Sequence, residues 1–88
     1  MTWIIEYTKT AETQLRKLDK PVARRILDYL EDDIAVLENP CTRGKGLSGP
    51  LGELWRYRVG DYRILCEIQN NIMRILVVKV GHRKHIYR

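Results

Sequence analysis

The sequence predicts an α+β domain of two layers: a mainly antiparallel sheet with two helices packed on one face, in the order β-α-α-β-β-β. Three observations lead there. Residues 22–37 carry apolar side chains at the 3.6-residue period of a helix, residues 54–80 carry three strand-like runs separated by short turns, and one β-branched run opens the chain. Its 88 residues leave room for one domain, 1–88, and for no second core.

Residues 3–7, Trp-Ile-Ile-Glu-Tyr, are aromatic and β-branched and read as the first strand. Thr8 or Thr10 offers an N-cap for a short helix over 11–18, with Leu15 and Leu18 as its apolar pair. Pro21 suits the first turn of the next helix, where its missing N–H costs nothing. Val22, Ile26, Tyr29, Leu30, Ile34 and Leu37 form that helix's apolar face, and Asn39-Pro40 ends it. Residues 41–53 hold four glycines and Pro50, and read as a long loop. Residues 54–59 alternate, with Trp55, Tyr57 and Val59 on one face and Arg56 and Arg58 on the other. Gly60-Asp61 has the length of a tight hairpin link, residues 62–69 form the next strand, and Asn70-Asn71 tolerates the positive φ of a second turn. The nearly continuous apolar run 72–80 reads as a central strand buried on both faces.

Charge is unevenly spread. The net charge is +5, but residues 1–40 carry six basic and eight acidic side chains, whereas residues 41–88 carry ten basic and three acidic. A half this basic suits an anionic partner, most simply nucleic acid; a solvated basic surface is the plainer alternative. No run approaches the ~20 apolar residues of a membrane span, and the N-terminal residues lack a signal-peptide pattern, so the expected location is the cytoplasm, without a membrane partner. Cys41 and Cys66 follow no metal or redox spacing and read as free thiols, and two late histidines do not complete a zinc set.

Three groups of residues carry chemistry. Arg56 and Arg58 share a strand face, and guanidinium forks match phosphate geometry while staying protonated at any working pH. Arg63 follows the hairpin link and reaches toward the same patch; an ion pair with Glu53 or Asp61 is its other reading. The segment Gly81-His82-Arg83-Lys84-His85-Ile86-Tyr87-Arg88 combines proton-transfer, phosphate-binding and base-stacking side chains, and Ile86 and Tyr87 are apolar for a loose end. No serine-hydrolase, P-loop or zinc-protease motif is present. Acidic residues concentrate in the helices, away from the basic strands, so if this chain cleaves RNA it is expected to do so without metal or cofactor.

In order, Leu18-Asp19, Asn39-Pro40, Gly46-Leu47-Ser48-Gly49, the stretch Leu54-Trp55-Arg56-Tyr57-Arg58-Val59-Gly60-Asp61-Tyr62-Arg63 and then Val80-Gly81-His82-Arg83 resemble the RelE/ParE superfamily of toxins from type II toxin–antitoxin pairs, its RelE branch in particular. The resemblance spans essentially the whole chain. It implies a RelE/ParE-like, microbial-RNase-like fold and a ribosome-dependent mRNA endoribonuclease that cuts in the A site. There the 2′-hydroxyl attacks the adjacent phosphorus, leaving a cyclic phosphate and a 5′-hydroxyl. Carried over by position, it implies Arg56, Arg58, Arg63, Arg83 and Tyr87 as catalytic residues. His85 matches the general-acid histidine of the YoeB-like branch, whose glutamate base has no counterpart in residues 41–45, so the general base stays open. Arginine at both strand positions assigns Arg56 and Arg58 to phosphate binding rather than proton transfer. Lys45, His82, Lys84 and Arg88 complete the set as RNA- or ribosome-binding residues. The implied partners are a neutralising acidic antitoxin, the ribosome with its mRNA, and promoter DNA reached through the antitoxin complex. Gyrase inhibition of the ParE type and a non-catalytic nucleic-acid-binding module are the rival functions.

Overall fold

A computed structural model describes residues 2–87 and contains, among them, a five-stranded mixed sheet with two α-helices on one face. The elements are β1 (Ile4–Tyr7), α1 (Lys9–Lys17), α2 (Lys20–Asp28), β2 (Lys45–Gly46), β3 (Trp55–Val59), β4 (Tyr62–Gln69) and β5 (Arg74–His82). Strand order is β1-β5-β4-β3-β2. β1 runs parallel to β5, and the other neighbours are antiparallel.

The helices follow their local chemistry. Thr8 caps α1 by accepting a hydrogen bond from the Ala11 N–H. α1 also completes the sheet. β1 ends at Tyr7, while β5 continues to His82 with its backbone edge uncovered. There the Thr8 N–H donates to Val77 O at 2.9 Å, the Thr8 hydroxyl donates to Val78 O at 3.2 Å, and Gln14 Oε1 accepts from the Val80 N–H at 2.7 Å. The backbone and side chain of the cap and one side chain of the helix thus replace the missing strand.

The second helix is shorter than its periodicity predicts. It is α-helical to Asp28 and then widens into a π turn over Tyr29–Ile34, closed by Ala35 N–H to Leu30 O at 2.9 Å. The wider turn inserts a residue into the helical phase, so Leu30, Ile34 and Ala35 are all buried while Glu31, Asp32 and Asp33 stay in water. Charge along this rod opposes the helix dipole: Lys20 stands in the first turn, and Asp32 and Asp33 in the last. Each such exposed charge costs roughly 0.3–1 kcal/mol at low salt.

The sheet departs from the sequence reading in three places. First, the loop 41–53 contributes an edge strand, β2, so five strands form rather than four. Gly44 turns the chain at φ +78°, where a Cβ would lie 2.3 Å from Arg56 O, and Trp55 Nε1 donates to Arg43 O at 2.7 Å. Second, β5 begins at Arg74 rather than residue 72: residues Asn70–Ile72 form a 3-10 turn, and the positive φ falls on Met73 at 50°, not on an asparagine. Third, β5 is central but not buried on both faces. Ile75, Val77 and Val80 enter the core, and a bulge between Leu65 and Cys66 of β4 sets Val78 outside the pairing. That extra residue is why the run looks continuously apolar.

The core joins Trp3, Ala11, Leu15, Ile26, Leu30 and Ile34 to Tyr57, Ile64, Cys66, Ile75, Val77 and Val80 from the sheet. Trp55 and Val59 pack against the same cluster, so β3 presents its predicted alternate face to the helices. Among the described residues, no helix is long and apolar enough to cross a membrane.

Gln14→Leu removes the side-chain acceptor of the Val80 N–H and should lower unfolding free energy by about 1–3 kcal/mol in urea titration. Burial pushes the Cys66 thiol and the Tyr57 phenol far above their ordinary values. The folded state then keeps protons that the unfolded chain releases. Stability should hold below about pH 8.5, where unfolded thiols start to ionise, and fall at up to roughly 1.4 kcal/mol per pH unit per group through pH 9 and 10. Urea midpoints measured from pH 7 to 10.5 check this.

Candidate functional site

The face of the sheet away from the helices divides into two halves of different charge. Pairing register puts opposite residues on the same face, so the open face reads in rows. Near β1 lie Ile4, Arg74 and Gln69, then Glu6, Leu76 and Glu67. Here the one cation is matched: Arg74 donates to Glu6 Oε1 at 2.9 Å and also to Gln69. Toward the β3–β4 hairpin the rows are Lys45, Arg56, Leu65 and Lys79, then Arg58, Arg63 and Gly81. These arginines have no such match.

Arg58 and Arg63 stand directly opposite on neighbouring strands, an arrangement that costs about 0.2–1 kcal/mol unless an anion lies between them. Arg58 is exposed. Arg63 is only 8% exposed, and its Nη1 donates to Gly60 O and Tyr62 O, each at 3.0 Å. Neither Glu53 nor Asp61 pairs with it, so its guanidinium is fixed by backbone carbonyls of the turn, not by a carboxylate. Burial lowers its pKa most, and the charges of Arg58, Arg56 and Arg83 lower it further, against an opposing pull from Tyr87. A guanidinium stays protonated through such a shift, so the cluster holds its charge. Arg56 donates through Nη1 to the Tyr87 hydroxyl at 3.4 Å, while its buried Nε has no partner among the described residues.

The C-terminal segment is tied down. β5 runs to His82, and the chain then turns through hydrogen bonds from the His85 and Ile86 N–H groups to His82 O. Ile86 is 2% exposed and lies over Gly81, where a Cβ would come within 3.1 Å of its side chain. Gly81 therefore leaves the seat that Ile86 fills, and Ile86 delivers Tyr87 to Arg56. Arg83 is anchored from the hairpin link: its N–H donates to Asp61 O at 2.8 Å, and its Nε faces Asp61 Oδ1 at 3.6 Å. Beside Tyr87 opens a recess of about 490 Å³ whose walls include Ser48, Leu54, Leu65 and Val78.

Arg56, Arg58, Arg63, Arg83 and Tyr87 thus converge. The histidines form a second group. His82 lies in the row of Val59 and Tyr62, with its ring 5.6 Å from Tyr62 and 6.1 Å from His85. His82 Nδ1 accepts the Lys84 N–H at 3.1 Å. Lys45 shares the open-face row of Arg56, Lys84 is exposed on the turn, and Arg88 lies outside the described residues. Sequence reasoning did not single out Asp61 as the residue that grips Arg83, nor Leu65 and Ser48 in the recess. Only their register and the folded tail bring them to the site. Among the described residues, no three of His, Cys, Asp and Glu gather as a metal set.

Residues 5–87 match the family model of the ParE toxin of type II toxin–antitoxin systems. Toxin RelG of Mycobacterium tuberculosis is 28% identical over 88 residues, covering 100% of this chain and 99% of that protein. A chain of the toxin–antitoxin complex RelBE2 from the same species superposes with a TM-score of 0.85 at 25% identity, covering 94% of this chain and 93% of that one. A chain of the archaeal RelE–RelB complex of Pyrococcus horikoshii gives a TM-score of 0.69 at 28% identity, with 97% and 99% covered.

An unmatched guanidinium cluster should take up an anion. Sulfate should raise the thermal midpoint more than chloride at equal ionic strength, and Arg58→Ala should remove most of that excess. Calorimetry of the two proteins in both salts checks it.

Proposed function

Because the chain belongs to the ParE toxin family of type II toxin–antitoxin systems, we propose that it acts as a ribosome-dependent mRNA endoribonuclease, cutting the codon in the ribosomal A site and so stopping translation. The observation that carries this reading is the convergence of Arg56, Arg58, Arg63 and Arg83 with Tyr87 on the open face, where Asp61 is the one carboxylate in ion-pair reach among the described residues.

In this reading the 2′-hydroxyl oxygen attacks the adjacent phosphorus, its proton passes to water, and the bond to the 5′ oxygen breaks. The products are a cyclic phosphate and a 5′-hydroxyl. Negative charge grows on the non-bridging oxygens as the phosphorane forms, and fixed guanidinium donors stabilise charge that develops there. Arg56 and Arg58 bind the phosphate, Arg63 holds the hairpin and adds charge from below, and Arg83 faces the phosphorane. Tyr87 orients the nucleotide with its ring against a base, its hydroxyl held by Arg56. His85 gives the leaving 5′ oxygen its proton. These roles use only side chains of this chain and no cofactor.

The relatives in the RelBE2 and RelE–RelB complexes are seen with antitoxins. An acidic antitoxin of this chain's own would meet the basic open face and neutralise it in the cytoplasm, and the pair would reach promoter DNA through the antitoxin. Membership in a family that takes its name from ParE toxins supports a second reading, in which the chain inhibits DNA gyrase without cutting RNA.

The test is translation in vitro with purified protein, mapping mRNA 5′ ends by primer extension beside naked mRNA. Cuts should appear only with ribosomes present. Arg83→Ala should slow them about 100-fold or more, as loss of a transition-state donor does, and His85→Gln about 100-fold, as loss of a general acid does. His85→Gln cutting at the wild-type rate removes the histidine from the mechanism. Intact mRNA with blocked supercoiling selects the gyrase reading.

A further inference from the structure

Three exposed cations, Lys20, Arg24 and Arg25, stand along α2, and none meets a carboxylate in ion-pair distance among the described residues. Asp19 stands at the N-cap of this helix and Asp28 at its last residue, and Glu31, Asp32 and Asp33 follow in the π turn. Arg25 is the one that reaches the sheet. Its Nη2 lies 3.5 Å from the position a Cβ would take on Gly60, at the tip of the β3–β4 hairpin. The carbonyl of that same glycine accepts Arg63 Nη1 at 3.0 Å. One residue without a side chain therefore separates the guanidinium of a helix from the guanidinium cluster of the open face. Positive charge continues round the hairpin tip, from Arg58, Arg63 and Arg83 to Arg25 and on to Arg24.

We propose that this strip binds the ribose-phosphate backbone of RNA beyond the nucleotides at the scissile bond, with Arg25 as its anchoring residue. The inference rests on the RNA reading above. Guanidinium forks suit successive phosphates, and continuity with the cluster lets RNA engaged at the site extend over the tip. The RNA is either the substrate strand or ribosomal RNA, which offer the same backbone chemistry.

Equilibrium binding of the full chain over a salt series tests it, with 2′-O-methyl RNAs that resist cleavage. The probes are an oligonucleotide of about four nucleotides, one of about twelve, and empty ribosomes. Arg25→Ala should weaken binding to the long oligonucleotide or to ribosomes roughly three- to tenfold, flatten the salt slope by about 0.7 for each phosphate no longer neutralised, and leave the short oligonucleotide unaffected. Weaker binding to the long oligonucleotide assigns the strip to the substrate strand, and weaker binding to ribosomes alone assigns it to ribosomal RNA. Arg25→Lys should restore most of the binding, and an unchanged thermal midpoint separates the effect from unfolding. Unchanged affinity and slope on both large probes overturn the proposal. So does a wild-type chain that binds neither, or an Arg25 effect confined to an acidic antitoxin. Arg25-dependent binding without any cleavage leaves the strip standing and removes the nuclease reading. Cleavage by wild type with no Arg25 effect on either large probe does the reverse.

Discussion

The parallel pairing of β1 with β5 organises this molecule. A parallel pair cannot be joined by a tight turn and needs a long crossover between its strands. Here the crossover takes in both helices and the three other strands, and the helices settle on one face of the sheet. The opposite face receives no helix. Arginines that would be intolerable between packed layers can stand there in water, two of them side by side on neighbouring strands. The open face is thus a consequence of topology, and its charge is a choice of sequence made possible by that topology.

The layers, the helix-facing side of β3 and the shared face of Arg56 and Arg58 were legible because they depend on alternation and spacing within single segments. Arg63 was legible as a neighbour of that patch, but its carbonyl partners were not, since they arise from the bend of the hairpin. The edge strand β2 escaped because two residues carry no periodic signal, and it forms only when Trp55 reaches back to Arg43. The bulge at Leu65 and Cys66 escaped for a related reason: it shifts the phase of β5 through pairing, not composition. The row that His82 shares with Tyr62, next to that of Arg58 and Arg63, was hidden as well. Residues close in sequence read as one group until register assigns them to different rows.

Electrostatics on the open face is graded. Where Glu6 and Gln69 hold Arg74, cation and acceptor satisfy each other and leave little field. Across the sheet, backbone carbonyls take up part of Arg63, a tyrosine hydroxyl meets Arg56, and Asp61 touches Arg83 at a distance that leaves most of its charge outward. The protein fixes the positions of its cations while leaving their charge uncompensated. Such preorganisation spends folding free energy in advance, so that an arriving anion need not reorganise the site.

The central place of β5 also governs when the fold can form. β5 is the last strand of the described chain, yet it lies between β1 and β4. During synthesis β3 and β4 can pair as a local hairpin, but β1 has no strand to join until residues 74–77 have left the ribosome. Pairings of such wide sequence separation form late and slowly. The seat of Ile86 on Gly81, and with it the place of Tyr87, comes later still. A nascent chain therefore emerges with its arginines but without the geometry that groups them, and the complete site appears only after Ile86 and Tyr87 have been made.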